Sequence, residues 1–256
     1  MARVRLLDRL CELHSHIDRE ALLAHVLCGD VSVSGERVRD PRRMVSRQAD
    51  VVLAARERAE YVSRGGRKLD HALRHWKLPV RGRVIADAGA STGGFTDCLL
   101  RHGAARVHAI DVGYNQLDYR LRSDERVIVH ERTNIMDITE LDPRPVAATA
   151  DLSFRSLRGA ASRLRGLVGP ASWIVLLVKP QFEWAAPPPD FDGTVPDEAL
   201  AGVLRSALEA LADEIALSDL VESPIRGRKG NREFLLLSHP ERPSRSVDEL
   251  LSVIRS

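Results

Sequence analysis

R-V-I-A-D-A-G-A-S-T-G-G-F-T-D, residues 83–97, decides the fold. Val84 to Ala88 is short, apolar and bounded by turn residues, and reads as a buried strand. Gly89, Gly93 and Gly94 then turn the chain, and F-T-D-C-L-L-R-H-G reads as a helix with Gly103 at its end. Strand, glycine turn and helix in this order open an α/β sheet whose turn lets backbone approach a ligand closely. The glycine spacing is G-x-x-x-G-G; the G-x-G-x-x-G of most dinucleotide sites and the lysine of a P-loop are both missing.

Asp111 closes the next strand, A-A-R-V-H-A-I-D, about 20 residues on, where an acidic side chain accepts hydrogen bonds from ribose hydroxyls. A glycine turn followed by such an acid points to an adenosine ligand. The missing dinucleotide spacing moves the choice from NAD to S-adenosylmethionine, whose cationic sulfonium suits a turn bearing Asp87. Asp87, Gly89, Ser91, Gly93, Gly94 and Asp111 are the expected cofactor residues. Asn134 and Asp137, after the third strand, are expected at the adenine edge, with loop capping as the equal alternative. Tight strand–helix packing by small residues is the plainer reading of the turn.

Outward from this stretch, strands and helices alternate. R-V-I-V-H, V-A-A-T-A-D-L and W-I-V-L-L-V continue the series, which argues for a parallel sheet covered on both faces. L-S-D-L-V-E-S-P and E-F-L-L-L-S-H flank the turn I-R-G-R-K-G-N-R, so the last two strands are expected to pair antiparallel. The expected fold class is α/β: a Rossmann-like, doubly wound sheet with a C-terminal hairpin, plus a small N-terminal α+β module. The divisions fall at 1–60, 61–79 for a connector, and 80–256. A-A-P-P-P-D-F-D-G-T-V-P reads as a mobile loop.

The N-terminal module reads as two helices, the second capped by Asp18, then a strand, a glycine turn and a strand. Residues 1–80 hold 16 Lys+Arg against 11 Asp+Glu; the remainder holds 22 against 25. Positive charge gathered at one end suggests a polyanionic partner, or simply a solvated basic face. No apolar run approaches the ~20 residues of a membrane span, and the N-terminus lacks a signal-peptide core, so a cytoplasmic location is expected. The three cysteines, Cys11, Cys28 and Cys98, form no C-x-x-C pair and read as packing residues.

Only four of the 38 basic residues are lysines: Lys68, Lys77, Lys179 and Lys229. Lys179 ends the W-I-V-L-L-V strand and Asp151 ends V-A-A-T-A-D, so both fall where open α/β sheets bind ligands. Glu233 reaches the same rim if its strand starts there. Arginine cannot act as a base, whereas lysine can once its proton is disfavoured. Lys179 is therefore a candidate general base, against the plain alternative of a snorkelling surface cation.

The order Lys68, Asp151, Lys179, Glu233 resembles the Lys-Asp-Lys-Glu tetrad of FtsJ-like RNA ribose 2′-O-methyltransferases. S-R-G-G-R-K-L, D-A-G-A-S-T-G-G-F-T-D, D-V-G-Y-N-Q-L, T-N-I, A-D-L-S-F-R-S-L, L-V-K-P-Q-F-E and S-P-I-R-G-R-K-G-N-R-E-F together resemble the TlyA family. H-I-D-R-E-A-L-L-A-H-V-L-C-G-D-V-S-V-S-G-E-R-V resembles an RNA-binding module of ribosomal protein S-four type, with Asp18-Arg19 where Ser-Arg is usual.

The resemblance implies a transferase that methylates a ribose 2′-hydroxyl of ribosomal RNA, at cytidine, from S-adenosylmethionine and without a metal. Lys179 would be the base, Asp151 and Glu233 orienting groups, and Lys68 would position the ribose and bias the charge near Lys179. Arg37, Arg39, Arg42 and Arg43 would meet RNA phosphates, and Arg64 and Arg67 would carry the strand to the pocket. A monomer is expected. A non-catalytic RNA-binding protein and a membrane-active haemolysin, the family's other label, are the competing readings.

Overall fold

The apolar runs close into a seven-stranded sheet in a computed structural model that describes residues 3–53, 61–153 and 156–254. The strands are β6 (Val84–Ala88), β7 (Arg106–Ile110), β8 (Val127–His130), β9 (Ala147–Ala150), β10 (Trp173–Val178), β11 (Asp219–Glu222) and β12 (Phe234–Ser238). Their order is β11-β12-β10-β9-β6-β7-β8. β6 to β10 run parallel, and β12 lies antiparallel between β10 and β11. The α/β class, the parallel series and the C-terminal hairpin all match the sequence expectation. The chain winds outward from β6 through β7 to β8, then crosses to β9 on the other side. That reversal makes the β6–β9 boundary the point where such sheets bind ligands.

Connecting helices are α3 (Gly65–Trp76), α4 (Gly94–Arg101), α6 (Ala160–Val168), α7 (Pro180–Glu183), α8 (Asp197–Ala212) and α9 (Val247–Leu251). Leu164 of α6, Leu204, Leu208 and Leu211 of α8, and Leu250 of α9 join Ala86, Ala148, Ile174 and Leu236 in one buried cluster. Those strand positions share one face, because side chains alternate along a strand. α3 and α4 pack on each other, and α3 also meets β12. With both faces covered, β10 is buried along its whole length, as a central parallel strand requires.

Two compact units divide the chain. One is Met1–Ala59 with Asp118–Ser123; the other is Glu60–Leu117 with Asp124–Ser256. The connector 61–79 thus falls with the sheet; the expected boundary at residue 60 lies outside the described residues. In the smaller unit, α1 (Leu6–Leu13) and α2 (Arg19–Cys28) pack over β1 (Arg3–Arg5), β2 (Val31–Val33), β3 (Glu36–Val38), β4 (Met44–Ser46) and β5 (Val51–Leu53). β3-β2-β5 form one antiparallel sheet and β1-β4 another. α5 (Tyr119–Arg122) completes the unit against α2. Asp18 caps α2 by accepting from Glu20 N at 2.8 Å, as its sequence position suggests. β1 carries no sequence signal, because it is three residues long and runs straight into a helix.

Gly65 and Gly66 form the first turn of α3, where a side chain on Gly66 would collide with the Tyr61 ring. The Pro-rich loop reads as mobile, yet it is anchored. Val195 N donates to Asn231 Oδ1 at 2.9 Å, Asn231 Nδ2 donates to Gly193 O at 2.8 Å, and Lys229 Nζ donates to Asp192 O.

Candidate active site

The carboxyl ends of β6, β7, β9 and β10 bring the glycine turn, Asp111, Asp151 and Lys179 to one rim. Asp151 N donates to Ala88 O at 2.9 Å, and Gly89 N donates to Ile110 O at 2.8 Å. Val178 pairs with Phe234, so Lys179 and Glu233 each lie one residue beyond the same cross-strand pair. Glu233 thus starts β12 at the rim, as its strand direction requires.

The four tetrad residues form two ion pairs. Lys179 Nζ lies 2.5 Å from Asp151 Oδ1 and donates to Leu152 O and Ser153 Oγ, both at 2.9 Å. Lys68 Nζ donates to Glu233 Oε2. Lys68, Lys179 and Glu233 are each buried to within 9% relative exposure, and buried charges are tolerated when paired. Lys68 is thus engaged by Glu233, and Lys179 by Asp151. Sequence reading missed the Leu152 carbonyl, because any residue type supplies one. Ser153 was legible only as part of A-D-L-S, whose continuation Phe154-Arg155 lies outside the described residues.

The glycine turn is built by packing from within. Gly89 has φ +79°, and a Cβ there would meet Asp151 O at 2.4 Å. Only glycine takes that conformation so close to a neighbouring strand. Gly93 caps α4 in the left-handed region, and Gly94 opens α4 within 3.0 Å, at a would-be Cβ, of Gly66 N. Ser91 also sits at positive φ, +47°, and is held there by its N–H donating to Asp111 Oδ2 at 2.8 Å.

Asp87 lies beneath the turn rather than facing it. It is fully buried and accepts from Thr96 Oγ1 at 2.7 Å and Thr149 Oγ1 at 2.9 Å. Burial pushes its carboxyl up to about 7, against the lowering effect of the two threonine hydroxyls. The folded chain therefore keeps this proton from about pH 4 to about pH 7, where an unfolded aspartate has lost it, so Asp87 makes stability fall as pH rises through that window. Asn does not titrate. The stability of the parent minus that of Asp87→Asn, read from melting curves between about pH 4 and pH 8, is expected to decline up to about pH 7 and then flatten. A pH-independent difference would show that Asp87 is ionised in the fold throughout.

Asp111 is half-buried, and its other oxygen accepts from Gly113 N at 2.6 Å. A carboxylate has about four acceptor sites, so two remain for ribose hydroxyls. Val112, directly after it, is 69% exposed and offers apolar surface for a purine face. These groups fit an adenosine ligand. Asn134 is half-buried and uses its carbonyl oxygen to cap a short helical turn, accepting from Met136 N at 3.1 Å, and Asp137 is exposed on that turn. Glu183, which the sequence reading passed over, holds the segment after Asp151: Ser156 Oγ and Leu157 N both donate to it. Burial pushes its carboxyl up.

The described N-terminal arginines differ in availability. Arg37, Arg39 and Arg42 are exposed, whereas Arg43 is half-buried and pairs with Glu36 at 2.7 Å. Arg64 and Arg67 are exposed at the start of α3.

Residues 61–239 match the family described as FtsJ-like methyltransferase. The chain belongs to the FtsJ-like methyltransferase family. An FtsJ-like methyltransferase of this fold takes its methyl group from S-adenosylmethionine, and the Asp111 environment is suited to it. The 16S/23S rRNA (cytidine-2′-O)-methyltransferase TlyA of Mycobacterium tuberculosis is 40% identical over 212 residues, 81% of this chain and 79% of that protein. Hemolysin A of Brachyspira hyodysenteriae is 36% identical over 82% of this chain and 89% of its own length. A solved candidate hemolysin from Streptococcus thermophilus superposes with a TM-score of 0.68 at 34% identity, covering 100% of this chain and 96% of that one. This FtsJ-like chain has no helix among its described residues long and apolar enough to cross a membrane.

Proposed function

We propose that this chain methylates a ribose 2′-hydroxyl of ribosomal RNA, at cytidine. One observation carries the reading. Lys179, the tetrad lysine at the end of β10, is buried and held by Asp151, Leu152 O and Ser153 Oγ beside the Lys68–Glu233 pair. The methyl donor supplies a carbon on a cationic sulfur; the hydroxyl oxygen bonds to that carbon as the carbon–sulfur bond breaks and its electron pair passes to sulfur. A ribose hydroxyl attacks only as its proton leaves, and Lys179 Nζ in its unprotonated form receives that proton. Asp151 and Ser153 fix where Nζ sits, and such alignment is itself worth several kcal/mol of barrier. Asp87 acts from below, through Thr96 and Thr149, on the shape of the turn.

The smaller unit serves as an RNA-binding module of S-four type, with Arg37, Arg39 and Arg42 meeting phosphates. With a ribosomal substrate the enzyme works in the cytoplasm, as a monomer and without a metal. The test incubates the protein with labelled S-adenosylmethionine and unmodified ribosomal subunits, then maps the label. The expected label lies on a cytidine 2′-oxygen. A methyl on a base nitrogen or carbon overturns the ribose assignment. A protein whose melting temperature does not respond to S-adenosylmethionine overturns the enzymatic reading.

A further inference from the structure

α3 faces two ways. Lys68, Leu69, Ala72, Leu73 and Trp76 are buried, and Lys68 enters the rim. Arg67, Arg74 and His75 are exposed and His71 is half-buried, all on the opposite side of the helix. His71 lies four residues from Arg67 and from His75 and three from Arg74, which puts the four on one stripe centred on His71. With Asp70 and Pro224 they line a cavity of about 490 Å³. Pro224 belongs to the turn that leads from β11 to Gly227 and Glu233, so the far wall of the cavity is the near neighbour of the tetrad in sequence. The side chain of Glu233 packs directly on Gly227, which ties that turn to the rim.

The cavity is lined by donors. Asp70 is its one carboxylate, and that group is engaged: Arg74 Nε donates to it at 2.9 Å and His102 Nε2 lies 2.7 Å away. Burial pushes the Asp70 carboxyl up, but hydrogen bonds from Arg74, His102 and Tyr61 outweigh it and hold the group below the usual carboxylate range. An ionised Asp70 thus fixes the Arg74 guanidinium at the cavity edge through Nε. The His71 and His75 rings stack at 6.0 Å, 18° from parallel, and present two further ring edges.

We infer that this cavity receives a phosphodiester group of the RNA strand next to the nucleotide whose ribose lies at the rim. The inference rests on the RNA methyl-transfer reading above. Five of the six lining residues carry charged or polar side chains, and guanidinium and imidazole N–H donors match a phosphate. Arg67 and Lys68 are consecutive, so a strand with its ribose near Lys68 passes the outer stripe within one nucleotide step. The arrangement positions the strand and is blind to base identity, as phosphate contacts are.

The experiment uses the full chain and a short fluorescein-labelled single-stranded RNA, with anisotropy read across a KCl series. Arg67→Ala/Arg74→Ala is expected to raise Kd about tenfold and to flatten the log Kd against log salt slope by about 0.7 for each phosphate that is no longer neutralised. His71→Gln/His75→Gln is expected to raise Kd by about two- to threefold. The shift in melting temperature with S-adenosylmethionine, unchanged in both variants, shows that fold and donor site survive. If the arginine variant loses that shift, the histidine variant decides alone. Parent-like Kd and salt slope in a variant that still binds the donor overturn the inference. A parent chain that binds the donor but no RNA overturns the ribosomal RNA reading, and this inference with it.

Discussion

Lys179→Arg is expected to lower methyl transfer by about 10²- to 10⁴-fold, the usual worth of a positioned general base. The substitution keeps the positive charge that pairs with Asp151, so the ion pair is not what is lost. Arginine stays protonated at any accessible pH and cannot take the hydroxyl proton. Single-turnover transfer to unmodified subunits measures the effect, and the melting shift with S-adenosylmethionine checks that the donor still binds. Lys68→Arg is the informative partner. Lys68 is paired with Glu233, so its arginine variant keeps the pair and is expected to lose about tenfold or less. Equal losses in the two variants would remove the distinction between base and positioning group. Normal turnover in Lys179→Arg would end the general-base assignment.

Gly89→Ala should abolish donor binding and lower stability by about 2–4 kcal/mol. Left-handed backbone costs a non-glycine residue roughly 1–2 kcal/mol. The remainder comes from steric overlap, since the new Cβ meets Asp151 O at 2.4 Å and Leu152 Cδ2 at 3.1 Å. Those atoms belong to the segment whose Leu152 carbonyl and Asp151 carboxylate hold Lys179, so the strain passes into the sheet rim. Gly82→Ala isolates the backbone part. Gly82 has φ +72° but no atom within 4 Å of a would-be Cβ, so it is expected to lose only the conformational cost. Melting curves and donor titrations of both variants measure the difference. Identical melting temperatures, with donor binding intact in Gly89→Ala, would show that the turn tolerates a side chain and that its glycines serve some other end.

Most of the rim could be read from the sequence because strand ends are local events. The apolar run of β10 stops at Lys179, that of β9 at Asp151 and that of β7 at Asp111, and each strand is buried almost continuously up to its stop. Asp18 as helix cap and the antiparallel C-terminal pair were legible for the same reason. The depth of Asp87 was not legible, because alternation says which face a side chain takes, not how deep that face lies. Thr96 and Thr149, nine and 62 residues away, bury it from α4 and β9.

What the sequence by itself determined is therefore the α/β class, the glycine turn, the scarcity of lysine and the placing of two lysines in the tetrad order. What only the tertiary structure decided is which charge meets which. Sheet order sets β6 beside β9, which brings Gly89 against Asp151. The crossing of β12 beside β10 lets Lys68 find Glu233 across 165 residues and leaves Lys179 to Asp151. Periodicity acts over a few residues, whereas these pairings are selected by the burial of both sheet faces at once, and no local pattern carries that condition.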